Sequence, residues 1–235
     1  MSRLLAICAL ACGLSSACGE TGQERIELDL AVRGTSATSL ESDGAVFVLE
    51  RADVAVGPLY FCASEGADVE LCETALAQLT QVISINGLAP QVELPAKLQG
   101  TTGEVRSALY DYGISWFLTE TAPAPAGDPQ HSAVLEGRVA RDGRELRFSA
   151  LVDVVPLTVG GSAVHGQHTR HELSNGDLLT IAVDPYAWLR PVDVDALFAL
   201  DSEGTGSVII EPGSQAYEAI LQSMQNRAPI QFAWE

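Results

Sequence analysis

The chain has 235 residues, 47% of them hydrophobic, and its 31 acidic residues outnumber its 13 lysines and arginines, which gives a formal net charge of −18 at pH 7. This length is enough to bury a real core in one large domain or in two small ones, and we favour one. The negative charge is the opposite of what binding to phosphates requires, so it argues against nucleic acid as a partner.

The first residues have the organisation of a secretory signal peptide. Arg3 supplies one positive charge, an apolar run covers residues 4–14, and three small residues precede Cys18. A charged start, an apolar centre and small residues before the cleavage point define such a segment. The run is well short of the roughly 20 residues that span a bilayer. It therefore predicts a cleaved signal peptide at residues 1–17 rather than a transmembrane helix.

Residues 14–18 resemble the lipobox of bacterial lipoproteins, in which a cysteine directly follows small residues at the end of an apolar run. The resemblance covers the signal segment only. It departs from the family's pattern at one place, because Ser15 stands where the lipobox prefers a leucine, and Leu14 lies one residue further back. Cys12 is a rival to Cys18, but choosing it would shorten the apolar run to the lower limit of a signal core.

The resemblance implies a lipid such as palmitate on Cys18, with residues 18–24 as a short polar tether. The protein would then be anchored to a membrane of the cell envelope, on the periplasmic or the surface side. Ordinary secretion is the alternative, since Ser15 and Ala17 also satisfy the small-x-small pattern of a simple signal peptidase.

Removal of the signal peptide and lipidation of Cys18 would leave two cysteines, Cys62 and Cys72. An even remainder in an oxidising compartment predicts a disulfide between them. Closing so short a loop would contribute about 3 kcal/mol in the chain-entropy model. A structural role is favoured because the Cys-x-x-Cys spacing of redox centres and further soft metal ligands are absent.

The first half of the mature chain predicts two long strands and one helix. Residues 25–32 alternate apolar and polar side chains, as a half-buried strand does. A Gly-, Ser- and Thr-rich loop follows at 33–43, and residues 45–56 form the second strand. Residues 70–83 place apolar side chains at spacings near 3.6, which predicts a helix that Cys72 would connect to the preceding strand.

Residues 104–120, after a proline-punctuated segment at 88–100, predict a strand whose aromatic residues pack in the core. Tyr110, Tyr112 and Trp116 share one parity with apolar neighbours, so a core position is favoured over a sugar-stacking surface. Alternating alanine and proline at 121–130 then predict an exposed loop.

Turn signals predict two hairpins in the second half. Asp142-Gly143 separates strands at 132–140 and 144–155, and Asn175-Gly176 separates the segment around His171 from a strand at 178–183. Short strands follow near Val208 and Ile230. Residues 214–227 predict a helix with Ala216, Ile220, Leu221 and Met224 on its apolar face.

Together these elements predict a mainly β fold: an antiparallel β-sandwich or barrel-like domain with two or three peripheral helices. The many short strands at regular spacing favour this class over alternating βαβ units. We expect residues 25–235 to form one globular domain.

Three of the four histidines lie in one segment, as His165, His168 and His171, and His131 is a further candidate. Imidazole is the commonest protein metal ligand, so the cluster suggests zinc or copper. On a regular strand, however, His168 would face away from the other two, which would stand about 20 Å apart at about 3.3 Å per residue. Chelation by all three requires an irregular backbone, which nearby glycines permit. A polar hairpin face is the alternative.

Other motifs are incomplete. His171-Glu172 begins like a zinc-protease motif but lacks its second histidine. Residues 201–208 resemble the start of a calcium-binding EF-hand loop, yet Pro212 occupies the place of the required glutamate, and a glycine-rich turn is favoured. Asp193 and Asp195 are a carboxylate pair of the type glycosidases use, although in so acidic a chain a solvated face is favoured.

No residue is singled out as catalytic. The chain lacks the nucleophile elbow, the phosphate-binding loop and the dinucleotide fingerprint, although a triad assembled from distant residues would not be visible in spacing. The sequence therefore predicts an exported envelope lipoprotein with a non-catalytic binding or structural role. The alternatives are a zinc- or copper-binding envelope protein that uses the histidine cluster, and a serine hydrolase with a hidden site.

Overall fold

The computed structural model describes residues 22–65, 75–113, 125–126, 131–155, 167–227 and 230–235. The strands are β1 (Arg25–Arg33), β2 (Leu40–Ser42), β3 (Ala45–Val56), β4 (Leu59–Cys62), β5 (Ala75–Leu79), β6 (Val82–Asn86), β7 (Glu93–Thr101), β8 (Gly103–Tyr110), β9 (Pro125–Ala126), β10 (Ala133–Arg141), β11 (Arg144–Val152), β12 (Gln167–Leu173), β13 (Leu178–Ala182), β14 (Ser207–Ile210) and β15 (Gln231–Trp234). The helices are α1 (Pro185–Leu189), α2 (Val194–Ala199) and α3 (Gln215–Gln222), and α3 ends in a π-helical turn (Ser223–Arg227).

Eight strands form a curled sheet in the order β12-β8-β4-β5-β7-β1-β13-β15. Its two edges meet, because the ring of His171 in β12 stacks on that of Trp234 in β15 with centroids 4.9 Å apart. The indole Nε1 of Trp234 also donates a hydrogen bond to Thr169 Oγ1 at 3.2 Å. The sheet is therefore nearly closed, and we call the contact of β12 with β15 the seam.

The second sheet has the order β14-β11-β10-β3-β6-β9, with β2 paired to β3. Antiparallel pairing dominates both sheets, but β1 with β13, β11 with β14 and β6 with β9 are parallel. Because parallel strands run in the same direction, β1 and β13 end on the same side of their sheet.

One contiguous apolar core includes side chains from both sheets and from all three helices. Its largest fully buried side chains include Trp188, Tyr110, Tyr112, Phe47 and Phe61. The prediction that Tyr110 and Tyr112 belong to the core is thus confirmed; Trp116 lies outside the described residues. The predicted fold class, mainly β and sandwich- or barrel-like with two or three helices, is also confirmed.

The elements with the strongest local signals are found where the sequence predicts them. β1 and β3 match the two predicted long strands, and α3 with its π-turn matches the predicted helix. β10 and β11 form the predicted hairpin, whose turn residues Asp142 and Gly143 have φ values of 52° and 76°. Positive φ at both positions is what a two-residue hairpin turn requires, and Asp-Gly supplies it at little cost.

The helix predicted at residues 70–83 is wrong over the part that the structure describes. Residues 75–79 form β5, which pairs with β4 and β7, and residues 82–86 form β6, which pairs with β3. Alanine and leucine are good helix formers, but intrinsic helix propensity is a small free energy, and pairing on both sides of β5 outweighs it. Cys72, which the prediction placed in this helix, lies outside the described residues.

The second predicted hairpin is also wrong, although its turn exists. Gly176 has the positive φ of a turn residue, at 92°, but β12 pairs with β8 and β13 pairs with β1 and β15. Leu178 and Glu235 exchange backbone hydrogen bonds, each 2.9 Å long. The C-terminal strand thus takes the place beside β13 that a hairpin would give to β12.

Besides β5 and β6, five described elements were not predicted from the sequence: β2 and β9, which lie in segments predicted as loops, β7, which lies in the proline-punctuated segment, and the helices α1 and α2. Both helices begin at an aspartate cap, Asp184 before α1 and Asp193 before α2. Each is too short for a periodic pattern to be visible. Among the helices of the described ranges, none is long and apolar enough to cross a membrane.

Candidate functional site: a cavity with two opposite charges

A cavity of about 440 Å³ lies where the parallel strands β1 and β13 end. Its lining includes residues 33–36, which begin at the last residue of β1, and residues 182–184, which begin at the last residue of β13. Ala187 of α1, Pro90 and Gln231 complete it. Its volume falls in the range of roughly 300–1,000 Å³ typical of small-molecule sites. The cavity is therefore large enough for a small metabolite.

Two glycines, Gly34 and Gly87, allow the segments beside this cavity to pack closely. A Cβ on Gly34 would lie 2.3 Å from the carbonyl oxygen of Gly87, and a Cβ on Gly87 would lie 2.5 Å from Cγ of Pro185. Backbone hydrogen bonds reinforce the contact, from Gly34 N to Ala89 O at 2.7 Å and from Thr35 N to Gly87 O at 2.8 Å. Close packing that only glycine allows thus brings three separate segments to one site.

The cavity is lined by one cation and one anion that do not neutralise each other. Arg33 is exposed and makes no ion pair or side-chain hydrogen bond with any residue that the structure describes. Asp184 is also exposed; its Oδ1 accepts a hydrogen bond from Tyr186 N at 3.2 Å as the cap of α1, and it forms no ion pair within the described ranges. Both charges therefore remain available to a ligand.

Thr35 adds a hydroxyl group to the same lining, and its Oγ1 accepts a hydrogen bond from Ala37 N at 3.1 Å. Small apolar side chains, those of Ala182, Val183 and Ala187, complete this part of the wall. The site thus combines a few polar groups with an apolar wall, as small-molecule sites usually do.

His131 lies outside this cavity and is bonded to a carboxylate. Its Nδ1 is 2.8 Å from Asp153 Oδ1, and both side chains are partly buried. The backbone N of Asp153 in turn donates to the hydroxyl of Tyr217 at 3.0 Å. The ring of His131 is therefore oriented by residues that follow β11 and belong to α3.

His171 lies at the seam and is fixed from two sides. Its Nε2 is 2.7 Å from Asp177 Oδ2, and its ring stacks on Trp234 with an interplanar angle of 2°. Ser174 also bonds Asp177, through its hydroxyl at 2.6 Å and its backbone N at 2.9 Å. Burial by itself raises the pKa of Asp177, but the hydrogen bonds from Ser174 and His171 outweigh it and lower that pKa below its ordinary value.

The other members of the predicted histidine cluster are only partly visible. His165 lies outside the described residues, and only the backbone of His168 is described, opposite Ser107 in β8. The pairing of β12 with β8 shifts register between His168 and His171, so the backbone is irregular where chelation would require it. Within the described ranges, no three His, Cys, Asp or Glu residues are placed to hold a metal ion.

The two acidic motifs have structural roles. Asp201 accepts hydrogen bonds from Gly206 N at 3.0 Å and from Thr205 N at 2.7 Å, and these bonds, that of Gly206 most, lower its pKa. Asp193 caps α2 through bonds from Asp195 N at 2.8 Å and Ala196 N at 3.1 Å. Asp195 forms a short ion pair with Arg141.

The predicted disulfide and lipid sites stay predictions. Cys62 is buried at the end of β4, while Cys72 and Cys18 lie outside the described residues.

The sequence did not point to Arg33 or Asp184, because the segments that form the cavity are far apart along the chain. The one local signal was Asp184-Pro185, a cap followed by a proline, which is typical of a helix start. Searches against protein-family models, curated proteins and solved structures found no match to this chain.

Proposed function

We propose that this protein is an exported envelope lipoprotein, held on a membrane by a lipid on Cys18, and that its β-rich domain binds a small ligand without transforming it. The observation that carries the binding role is the cavity at the ends of β1 and β13, with its unneutralised Arg33 and Asp184. The leader segment and its lipobox-like cysteine support export and anchoring.

Binding is favoured over catalysis by the composition of the cavity lining. Acyl or group transfer by a side chain requires a nucleophile within hydrogen-bond reach of a base. In the part of the chain that the structure describes, the lining contains neither histidine nor cysteine. Its hydroxyl groups belong to Thr35, which accepts a backbone hydrogen bond, and to Ser36, and neither hydroxyl is hydrogen-bonded to a base among the described residues. Arg33 and Asp184 can bind and orient a ligand.

The test is a thermal-unfolding screen of the full chain, expressed with its own signal segment and purified in detergent, against a set of small metabolites. A ligand that binds the folded state raises the unfolding temperature as its concentration exceeds Kd. The variant Ala187→Trp fills the cavity, whereas Ala199→Trp, on the exposed part of α2, is the matched control. We expect at least one compound to stabilise the wild type and the control but not Ala187→Trp. Stabilisation that Ala187→Trp retains would contradict binding in this cavity.

A second candidate is a divalent-metal-binding role, with zinc or copper held by residues of the histidine cluster. The supporting observation is that His131 and His171 each bond a carboxylate through one ring nitrogen, as metal-binding histidines commonly do. The metal would then bind Nε2 of His131 or Nδ1 of His171, with His165 and His168 as further ligands. Near-stoichiometric zinc or copper that is lost when residues 165, 168 and 171 are all changed to alanine would support this role, and equal retention would contradict it.

A further inference from the structure

We infer that the cavity at the ends of β1 and β13 binds a small zwitterion, a molecule that carries one carboxylate and one ammonium group, as a free α-amino acid does. This inference rests on the proposed binding function and specifies the class of its ligand. It follows from the charges of the lining, the charge of the whole chain and the size of the cavity.

The first step is the pair of charges. The guanidinium of Arg33 offers several N–H donors in a planar fork that matches a carboxylate. The carboxylate of Asp184 accepts only one hydrogen bond from the described residues, from Tyr186 N, so it can accept more from an ammonium group. A ligand with both groups would satisfy both side chains at once.

The second step excludes simpler ligands. A neutral ligand would displace water from two charged side chains without replacing its hydrogen bonds, which is costly. A simple carboxylate would pair with Arg33, but it would leave Asp184 unpaired and would be repelled by it. A simple amine would pair with Asp184, but it would leave Arg33 unpaired and would be repelled by it.

The third step is the field of the whole protein. At a formal net charge of −18, the chain repels small anions from its surroundings, and this repulsion lowers their association rate. A zwitterion has no net charge, so it can deliver a carboxylate to Arg33 without this penalty. The acidic composition and the presence of an arginine with no ion pair in the cavity thus point to the same ligand class.

The fourth step is size. A cavity of about 440 Å³ exceeds what two charged groups alone would fill. The small apolar side chains of Ala182, Val183 and Ala187 leave room for the remainder of the ligand beside the two charges. An amino acid with an apolar side chain fits this combination.

The experiment is isothermal titration calorimetry of the full chain, expressed with its own signal segment, with each of the common L-amino acids. For the tightest binder, two analogues follow: the acid that lacks the amino group and the amine that lacks the carboxyl group. We expect saturable binding of at least one amino acid and a loss of affinity of about tenfold or more for each analogue, as removal of a charge-assisted hydrogen bond implies.

Two charge-removing variants test the residues. Arg33→Gln keeps a side chain of similar length, and Asp184→Asn keeps an effective helix cap while removing its charge. Each should weaken binding of the amino acid by about tenfold or more. The matched controls are Arg147→Gln and Asp43→Asn, which remove an exposed charge outside the cavity lining and should bind like the wild type.

The outcomes separate this inference from the function it rests on. The inference is overturned if no amino acid binds, if the acid without an amino group binds as tightly as the amino acid, or if Asp184→Asn binds unchanged. If a compound that is not a zwitterion stabilises the protein in a manner that Ala187→Trp abolishes, the binding function stands and the ligand class is wrong. If neither the metabolites nor the amino acids bind, both proposals fail.

Discussion

Asp177 connects the turn after β12 to the seam, since one carboxylate accepts hydrogen bonds from both Ser174 and His171. Its side chain is only 14% exposed, so a lost bond is not simply replaced by water. The same hydrogen bonds favour the charged carboxylate in the folded state, and the pKa of Asp177 is lowered for this reason.

This pKa predicts how stability depends on pH. A carboxyl group whose pKa is lower in the folded than in the unfolded state contributes stability above the unfolded pKa, near 4. The contribution is lost as pH falls from there through the folded pKa. We expect Asp177→Asn to reduce the free energy of unfolding by about 1–2 kcal/mol at pH 7 and to make it less dependent on pH below about 4.

Chemical denaturation at pH 7, 4 and 3 measures this directly, with Asp43→Asn as the control. Asp43 is an exposed turn residue with a φ of 49°, and asparagine tolerates that conformation. The control should therefore follow the wild-type pH profile. If the free energy of unfolding of Asp177→Asn falls as steeply at low pH as that of the wild type, a group other than Asp177 causes most of the loss of stability in acid.

The seam is a contact between two strand edges, and it depends on side chains rather than on a backbone ladder. Trp234 stacks on His171, donates to Thr169 and makes an edge-to-face contact with Phe61 at 5.0 Å. We expect Trp234→Ala to destabilise the protein by about 2 kcal/mol. The loosening should be local, so backbone amides of β12 and β15 should exchange with deuterium faster than those of β3 and β10.

Hydrogen exchange followed by mass spectrometry distinguishes a local from a global effect. Leu94→Ala is the control, because Leu94 is 66% exposed in β7 and its truncation should leave exchange unchanged. Uniformly faster exchange in Trp234→Ala would mean that the contact at the seam supports the whole core rather than one edge.

The same elements show what the sequence could and could not predict. The hairpin of β10 and β11 depends on Asp142-Gly143 and on local alternation, so it was predictable. The identity of β5 depends on pairing with β4 and β7, which the spacing of its alanines and leucines does not encode. The cavity is less predictable still, because Arg33, Gly87 and Asp184 meet only through packing between distant segments. A charge that lines a cavity has no local pattern to distinguish it from one on a solvated face.

At the scale of the whole molecule, the proposal separates an anchoring segment from a binding domain. Residues 18–24 would connect the lipid to β1, which begins at Arg25 and ends at the cavity. The length of β1 would then separate the binding site from the tether. An anionic membrane surface would also repel the acidic domain. Binding in the cavity should therefore not depend on the anchor.

Lipidation at Cys18 is tested by growing cells that express the full chain with labelled palmitate. Acylation of the mature amino terminus requires the cysteine thiol, so Cys18→Ser should lose the label, whereas Cys12→Ser should keep it because Cys12 would be removed with the signal peptide. The wild type should sediment with membranes and Cys18→Ser should be recovered in the soluble fraction, since a protein without acyl chains lacks the anchor.

Two other outcomes would contradict lipidation at Cys18. If Cys18→Ser is labelled and Cys12→Ser is not, the lipidated cysteine is Cys12. An unlabelled wild type whose amino terminus follows Ala17 would instead mean ordinary secretion, and the cavity would then bind its ligand on a freely diffusing protein.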